Sequence, residues 1–364
     1  MDEARYWLAF SLSPQVGSSR IQQLITYFGS LEAAWKATLT EWLEAGLPQS
    51  VAHDLRRHRD SLDMVAEWKK IMKAGAHIIT LADDSYPTLL RKISNPPAVL
   101  YVRGELLQED DLALAVVGTR RATHYGKDAA RYLARELAAN GVTIISGLAQ
   151  GIDSAAHEGA LEGQGRTVAI FGSGIDQVYP REHQPLAERI VQRGALVSEL
   201  PIGTPPQALN FPRRNRIMSG MALGVLVVEA PAKSGALITV ESALEQGRDV
   251  FAVPHSIFNA AGSGTNQLIQ EGAKLVMGPQ DILSELQISY QQNETERRTQ
   301  EVVPESPLEA ALLAELSSEP RHVDDLIRQL GLSSAEVLAA LAILELKGLA
   351  QMTGHMQYCR ANPL

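Results

Sequence analysis

Phe211, Arg213, Arg214 and Arg216 crowd into the short run Asn210-Phe211-Pro212-Arg213-Arg214-Asn215-Arg216. Three guanidinium groups beside a flat ring suit a polyanion that carries flat rings of its own, and single-stranded nucleic acid is such a ligand. A base can stack on the phenyl ring while arginine grips phosphate through its planar fork. A proline-fixed turn at Pro212 is expected to hold the ring outward, the alternative being an ordinary core phenylalanine. The three arginines cannot all point one way on the helix that starts here, so one or two are candidates for structural ion pairs. Asn215 either caps that helix or meets a base edge.

Four further runs follow apolar segments and are rich in small residues: Gly118-Thr119-Arg120-Arg121, Gly147 to Asp153, Gly172 to Asp176, and Ala230 to Gly235 with Lys233 at its centre. Glycine there leaves backbone N–H groups accessible, and the start of a following helix adds partial positive charge suited to phosphate. Any one such turn needs glycine for geometry alone. Four on one edge of a sheet would form a ligand rim, because doubly wound sheets bind beyond the carboxyl ends of their strands. The candidate contacts are therefore Gly118, Arg120, Arg121, Gly147, Gly151, Gly172, Ser173, Asn210, Phe211, Arg213, Arg216, Lys233, Ser234 and Gly235.

No catalytic, metal or cofactor site is expected. A phosphate loop of the Gly-x-x-x-x-Gly-Lys-Ser/Thr type is missing: Gly126-Lys127 is followed by Asp128, and Lys233-Ser234 is preceded by Ala232. The dinucleotide fingerprint fails after Gly172-Ser173-Gly174. Asp153 and His157 stand four apart, a spacing metals can use, but no third ligand is evident. A first-turn carboxylate with a packed histidine beside it is the plainer reading.

The elements that must position these residues follow from periodicity. Residues 1–65 read as helices, with a Gly29-Ser30 break resembling a SAM or helix-hairpin-helix unit in which Gln15 replaces the usual first glycine. From about residue 66 to 286, strands alternate with helices: His77–Ala82, Ala98–Val102, Leu112–Val117, Val142–Ser146, Thr167–Phe171, Ala195–Ser198, Gly224–Ala230, Asp249–Val253 and Lys274–Met277. Helices are expected over Leu62–Ala74, Tyr125–Asn140, Asp153–Leu161, His183–Arg193, Ala236–Gln246 and Thr265–Glu271. This spacing predicts an α/β, doubly wound, mostly parallel sheet whose Val, Ile, Ala and Leu runs are covered on both faces. Residues 287–306 are polar and read as a linker. Residues 307–364 give three helical patterns and a strand pair, the layout of a winged helix. Its reading helix, Ser334–Lys347, carries Glu336 and Glu345 and little that could read a major groove.

The chain has 364 residues, a hydrophobic fraction of 45%, a net charge of −9 and one cysteine, Cys359. Two or three domains fit that length, and an internal disulfide is excluded. The start Met1-Asp2-Glu3 lacks the basic, apolar pattern of a secretion signal, and no apolar stretch is long enough for a bilayer, so a soluble cytoplasmic protein without membrane contact is expected. Net acidity does not exclude a local basic groove.

Taken together, Val117-Gly118-Thr119-Arg120, the loop Ser146 to His157, Phe211-Pro212-Arg213-Arg214-Asn215-Arg216 and Lys233-Ser234-Gly235-Ala236-Leu237-Ile238-Thr239 resemble the DNA-processing protein A (DprA/Smf) family, most closely over residues 75–280. The resemblance implies a Rossmann-like domain that forms a homodimer, binds single-stranded DNA without sequence preference and helps load the recombinase RecA during natural transformation. It also implies that Arg120, Phe211 and Lys233 fall in the strand-binding pocket, lined by Gly118, Gly147, Ser173 and Gly235. Family members often carry a basic residue a few places before the phenylalanine, where this chain has Gln207, Ala208 and Leu209. A second resemblance, to nucleotide phosphoribohydrolases of the lysine-decarboxylase-like family, would make Glu241 functional, although Pro231-Ala232-Lys233-Ser234-Gly235-Ala236 departs from their Pro-Gly-Gly-x-Gly-Thr turn. A transcription regulator acting through residues 307–364 is the third possibility.

Overall fold

The computed structural model describes residues 2–286, 306–317, 319–347, 349–354 and 356–361. The expected linker thus lies, but for Ser306, outside the described residues. The chain forms two compact units: the N-terminal helices with the large sheet, and the C-terminal tail.

Six helices open the first unit: α1 (Asp2–Ser11), α2 (Ser18–Phe28), α3 (Leu31–Lys36), α4 (Leu39–Glu44), α5 (Gln49–Ser61) and α6 (Met64–Lys73). Gly29 closes α2 in the left-handed conformation, and Ser30 caps α3 by accepting from the Ala33 N–H. At the hairpin entrance, Gln15 Nε2 donates to Asp54 Oδ2 at 2.7 Å. A carboxylate at that place disfavours the phosphate contact that a helix-hairpin-helix would make there.

The sheet comprises β1 (His77–Thr80), β2 (Val99–Gly104), β3 (Ala113–Val117), β4 (Thr143–Ser146), β5 (Thr167–Ile170), β6 (Ala195–Ser198), β7 (Gly224–Val227), β8 (Asp249–Ala252) and β9 (Lys274–Leu275). Helices α7 (His124–Ala139), α8 (Ile152–Glu162), α9 (Gln184–Val191), α10 (Asn210–Met221), α11 (Leu237–Glu245), α12 (Ser263–Gln270) and α13 (Pro279–Glu285) alternate with the later strands. The strand order is β1-β2-β6-β5-β4-β3-β7-β8-β9, parallel from β6 to β9 and antiparallel at β1/β2 and β2/β6. Every residue of β3 is buried, as a strand covered on both faces requires. Alternate residues feed opposite cores: Val168 and Ile170 pack with Ile217 and Met218 of α10, whereas Ala169 and Phe171 join Phe10, Trp35 and Trp42 of the N-terminal helices. Residues 1–65 therefore share a core with the sheet.

This topology fixes where a ligand can sit. The chain lays β4, β5 and β6 successively to one side of β3, then returns through α10 to place β7 on its other side. The loops after β3 and β7 therefore diverge from neighbouring strands, which is the switch point where open α/β sheets bind ligands. One expectation is corrected here. Phe211 and Pro212 do not form a proline-fixed turn; they lie in the first turn of α10. Proline is tolerated there because first-turn N–H groups lack intrahelical acceptors in any case.

The second unit contains α14 (Pro307–Glu315), β10 (Arg321–His322), α15 (Val323–Leu330), α16 (Ser334–Leu346), β11 (Ala350–Gly354) and β12 (Gln357–Arg360), with sheet order β10-β12-β11. Leu312, Leu326, Val337, Leu341, Leu344 and Tyr358 form its core. Ser333 and Glu336 make a reciprocal capping box at the start of α16. This is a winged helix.

Candidate nucleic-acid interface

A cleft of about 720 Å³ opens at the switch point between the loops after β3 and β7, beside the start of α10. The Phe211 ring forms one wall. It is half-buried, with the Arg120 guanidinium 5.0 Å from its centroid and that of Arg214 5.8 Å away. Tyr179 stands beside it, the two ring centroids 6.1 Å apart and tilted by 42°. Gly172 underlies the ring, and a Cβ there would come within 2.8 Å of Phe211 Cδ1. The ring sits where it does because the turn after β5 carries a residue with no side chain.

Arg214 is 6% exposed and belongs to the framework. Its Nη1 donates to the carbonyls of Gly147 at 2.8 Å and Ile170 at 2.7 Å, tying the ends of β4 and β5 together. Asp153, equally buried, accepts from the N–H groups of Gly147 and Ala149 at 3.2 and 3.3 Å. Burial pushes the Asp153 carboxyl up and the Arg214 guanidinium down, and each is drawn back by the other's charge. This pair sets the floor of the cleft.

The rim cations differ in kind. Among the described residues, Arg120, Arg121 and Lys233 are exposed and no ion pair engages them. Other arginines are paired: Arg103 with Glu188 at 3.1 Å and Arg166 with Asp110 at 2.8 Å. Unpaired cations beside an accessible aromatic face can bind phosphate and base together.

Of the residues expected at the site, Gly118, Arg120, Arg121, Phe211, Lys233, Ser234 and Gly235 line the cleft. Gly147, Gly151, Gly172, Ser173, Asn210, Arg213 and Arg216 do not. Gly147 faces Arg214, with a Cβ there 2.2 Å from Nη1, and Gly118 and Gly151 face protein atoms just as closely. These glycines serve close packing beneath the site, and only Gly235 borders open space. Ser173 is buried and donates to the Gln177 carbonyl at 2.7 Å. Asn210 is buried in the first turn of α10, and Arg213 is exposed outside the cleft lining. Arg216 bonds the Glu199 carboxylate and the Asn95 carbonyl, fulfilling the structural role foreseen for part of the arginine cluster. Tyr179 and Thr119 line the cleft and were not singled out from the sequence. An aromatic a few residues after a glycine turn, as Tyr179 follows Gly174, was the available signal.

Asp153 and His157 serve separate ends. His157 is fully buried, with Nδ1 2.7 Å from Thr167 Oγ1, and burial pushes its pKa down to about 3. Among the described residues no three His, Cys, Asp or Glu side chains gather to hold a metal ion, and no single helix is long and apolar enough to cross a membrane. On α16 the exposed positions are Ser334, Ala335, Glu336, Leu338, Ala339, Ala342, Ile343 and Glu345, a face without cations.

A doubly wound sheet with an aromatic, cationic cleft at its switch point defines a Rossmann-like protein. The comparisons narrow that class. Residues 77–287 match the family described as DNA recombination-mediator protein A, and 296–354 match the DprA winged helix domain. The chain is 35% identical to the protein Smf of Synechocystis over 98% of its own length and 99% of the relative's. It is 42% identical to the protein Smf of Escherichia coli, covering 80% and 78% of the two chains. The crystal structure of DNA processing protein A from Streptococcus pneumoniae superposes with a TM-score of 0.69 at 34% identity, over 77% of this chain and 97% of that one. DNA processing protein A from Helicobacter pylori, whose structural description concerns its single-stranded DNA binding mode, gives 0.53 at 30% identity over 60% and 99%. The chain belongs to the DNA recombination-mediator protein A family.

Proposed function

We propose that this protein binds single-stranded DNA without sequence preference in the cleft at the switch point and mediates homologous recombination by presenting the strand to a RecA recombinase. The observation that carries this reading is the set of exposed cations without ion pairs, Arg120, Arg121 and Lys233, around the half-buried Phe211 ring. Stacking on Phe211 and Tyr179 tolerates any base, and the cations grip a backbone common to all sequences. The H. pylori relative, described as a single-stranded DNA binder, supports the same assignment. Natural transformation, in which incoming DNA enters as a single strand, and a cytoplasmic setting belong to the same reading. A homodimer would place two clefts on one strand and raise affinity for longer DNA. The outer edge of β9, with Leu275 and Met277 exposed beside it, supports such pairing.

Binding without catalysis is favoured over nucleotide hydrolysis. Glu241, the residue a phosphoribohydrolase would need, is exposed and lies outside the cleft lining. The cation-free face of α16 also speaks against groove reading by the winged helix.

Fluorescence anisotropy with a single-stranded and a duplex oligonucleotide at two salt concentrations tests the proposal. The single strand should bind more tightly. Arg120→Ala should weaken it about ten-fold or more and flatten the slope of log K against log[salt] by roughly 0.7, one phosphate contact on a single strand. Unchanged binding by that variant, with the fold intact by circular dichroism, removes the cleft from consideration.

A further inference from the structure

The loop that follows β8 carries two apolar side chains that the cleft does not use. Ile257 is 86% exposed and Phe258 93% exposed, the latter the barest large hydrophobic side chain among the described residues. Their surroundings are ordered. Asn259 N–H donates to the Ser256 carbonyl at 3.0 Å, Ala261 N–H to Asn259 Oδ1 at 3.0 Å, and Asn266 brackets His255 with bonds of 2.9 and 3.0 Å. The backbone is thus held in one conformation while its tip stays bare, an arrangement that costs little ordering when a ligand arrives.

The loop's place in the sheet says what it faces. β8 is the parallel neighbour of β7, so the loops leaving their carboxyl ends lie side by side on the rim that bears the cleft. They are tied together: Ala232 N–H donates to Ser263 Oγ at 3.1 Å, and Gly264 N–H to the Ala230 carbonyl at 2.8 Å. Lys233, an exposed cation of the cleft, follows Ala232 directly. No acidic residue occurs between Asp249 and Glu271, in a chain whose net charge is −9. Along the rim from β5 to β8 the order of features is the Phe211 ring over Gly172, Arg120 after β3, Lys233 after β7 and Phe258 after β8.

We infer that Phe258, flanked by Ile257, is a second base-stacking platform, which receives a nucleotide of the same strand after it has left the Phe211 cleft across Lys233. The inference rests on the cleft being a single-strand site and adds to it a direction: the strand runs across the carboxyl edge, perpendicular to the β-strands, toward β9. A bare aromatic ring on a loop tied to the one that carries an exposed lysine, in a stretch without carboxylates, has the makings of such a platform.

The test uses the full-length protein with dT5, long enough for the cleft alone, and dT20, measured by competition anisotropy. Phe258→Ala should leave dT5 affinity within two-fold and weaken dT20 by about ten-fold, and Phe258→Trp should restore it where Phe258→Leu does not. Equal dT20 affinity for wild type and Phe258→Ala, while Arg120→Ala is defective on both oligonucleotides, overturns the platform and leaves the cleft standing. Normal binding by Arg120→Ala overturns both. Should Phe258→Ala instead convert a dimer to a monomer in sedimentation velocity, the tip is a contact between copies of this chain and the stacking role falls.

Discussion

Replacing Arg214 with methionine removes the buried guanidinium at the floor of the cleft. The side chain is 6% exposed, and methionine fills much of the same volume without the charge. Two buried carbonyls, of Gly147 and Ile170, lose their donor, and Asp153 loses its countercharge while keeping two N–H donors. Breaking one side of a buried pair costs about 3–5 kcal/mol. Asp153→Asn alone should cost less, about 1–3 kcal/mol, because its side-chain oxygen still accepts from the same amides. The double variant Asp153→Asn/Arg214→Met should then be more stable than the sum of the two losses implies, by at least about 1 kcal/mol. Urea unfolding followed by tryptophan fluorescence reads this directly, since Trp7, Trp35 and Trp42 lie in the core that the N-terminal helices share with the sheet. There is also a pH signature. With Arg214 gone, burial is no longer opposed by that charge, and the folded pKa of Asp153, already above its unfolded value, rises further. A carboxyl raised in this way loses stability as pH climbs through the unfolded value, so the Arg214→Met penalty should be smaller at pH 4 than at pH 7. Additive single losses, within about 0.5 kcal/mol, together with a penalty independent of pH, would refute the coupling.

Two further outcomes follow from contacts described above. Gly172→Ala brings a Cβ to 2.8 Å from Phe211 Cδ1, so the ring must swing away, and single-strand affinity should fall about five-fold or more while urea stability changes by less than about 2 kcal/mol. Unaltered affinity would show that the ring's position does not matter. His157 is neutral in the folded protein with a pKa pushed down to about 3, so the unfolded chain binds the extra proton first and stability drops as pH falls below about 6.5. His157→Leu should abolish that loss, worth about 3 kcal/mol at pH 4, seen as a smaller difference between unfolding free energies at pH 7 and pH 4.

The sheet was legible because each strand is a short apolar run and each strand-to-helix turn carries glycine, signals that stay local. The winged helix was legible for the same reason, through the periodicity of Val323–Leu330 and Ser334–Leu346. The division of labour among arginines was not. Arg216 finds Glu199 and Asn95, and Arg214 reaches Gly147 and Ile170, partners far away in the chain that only the packed sheet brings near. Glycine is ambiguous for a related reason. A residue without a side chain reads identically whether a ligand or the protein itself must come close, and at Gly118, Gly147, Gly151 and Gly172 it is the protein. The place of Phe211 and Pro212 inside the first turn of that helix was not legible because Pro212 signals a turn and a first helical turn equally well.

The uncompensated cations at the switch point have one more implication, given the surplus of negative charge over the rest of the chain. Attraction to phosphate at this rim falls to Arg120, Arg121 and Lys233, on a molecule whose charges otherwise sum to a surplus of carboxylates. A slender, pliant filament can lie along such a rim with its second side turned to water. A rigid double helix, whose second backbone would be brought against a molecule of net charge −9, would meet more of its repulsion, a preference set by charge balance rather than by any contact that inspects the strand.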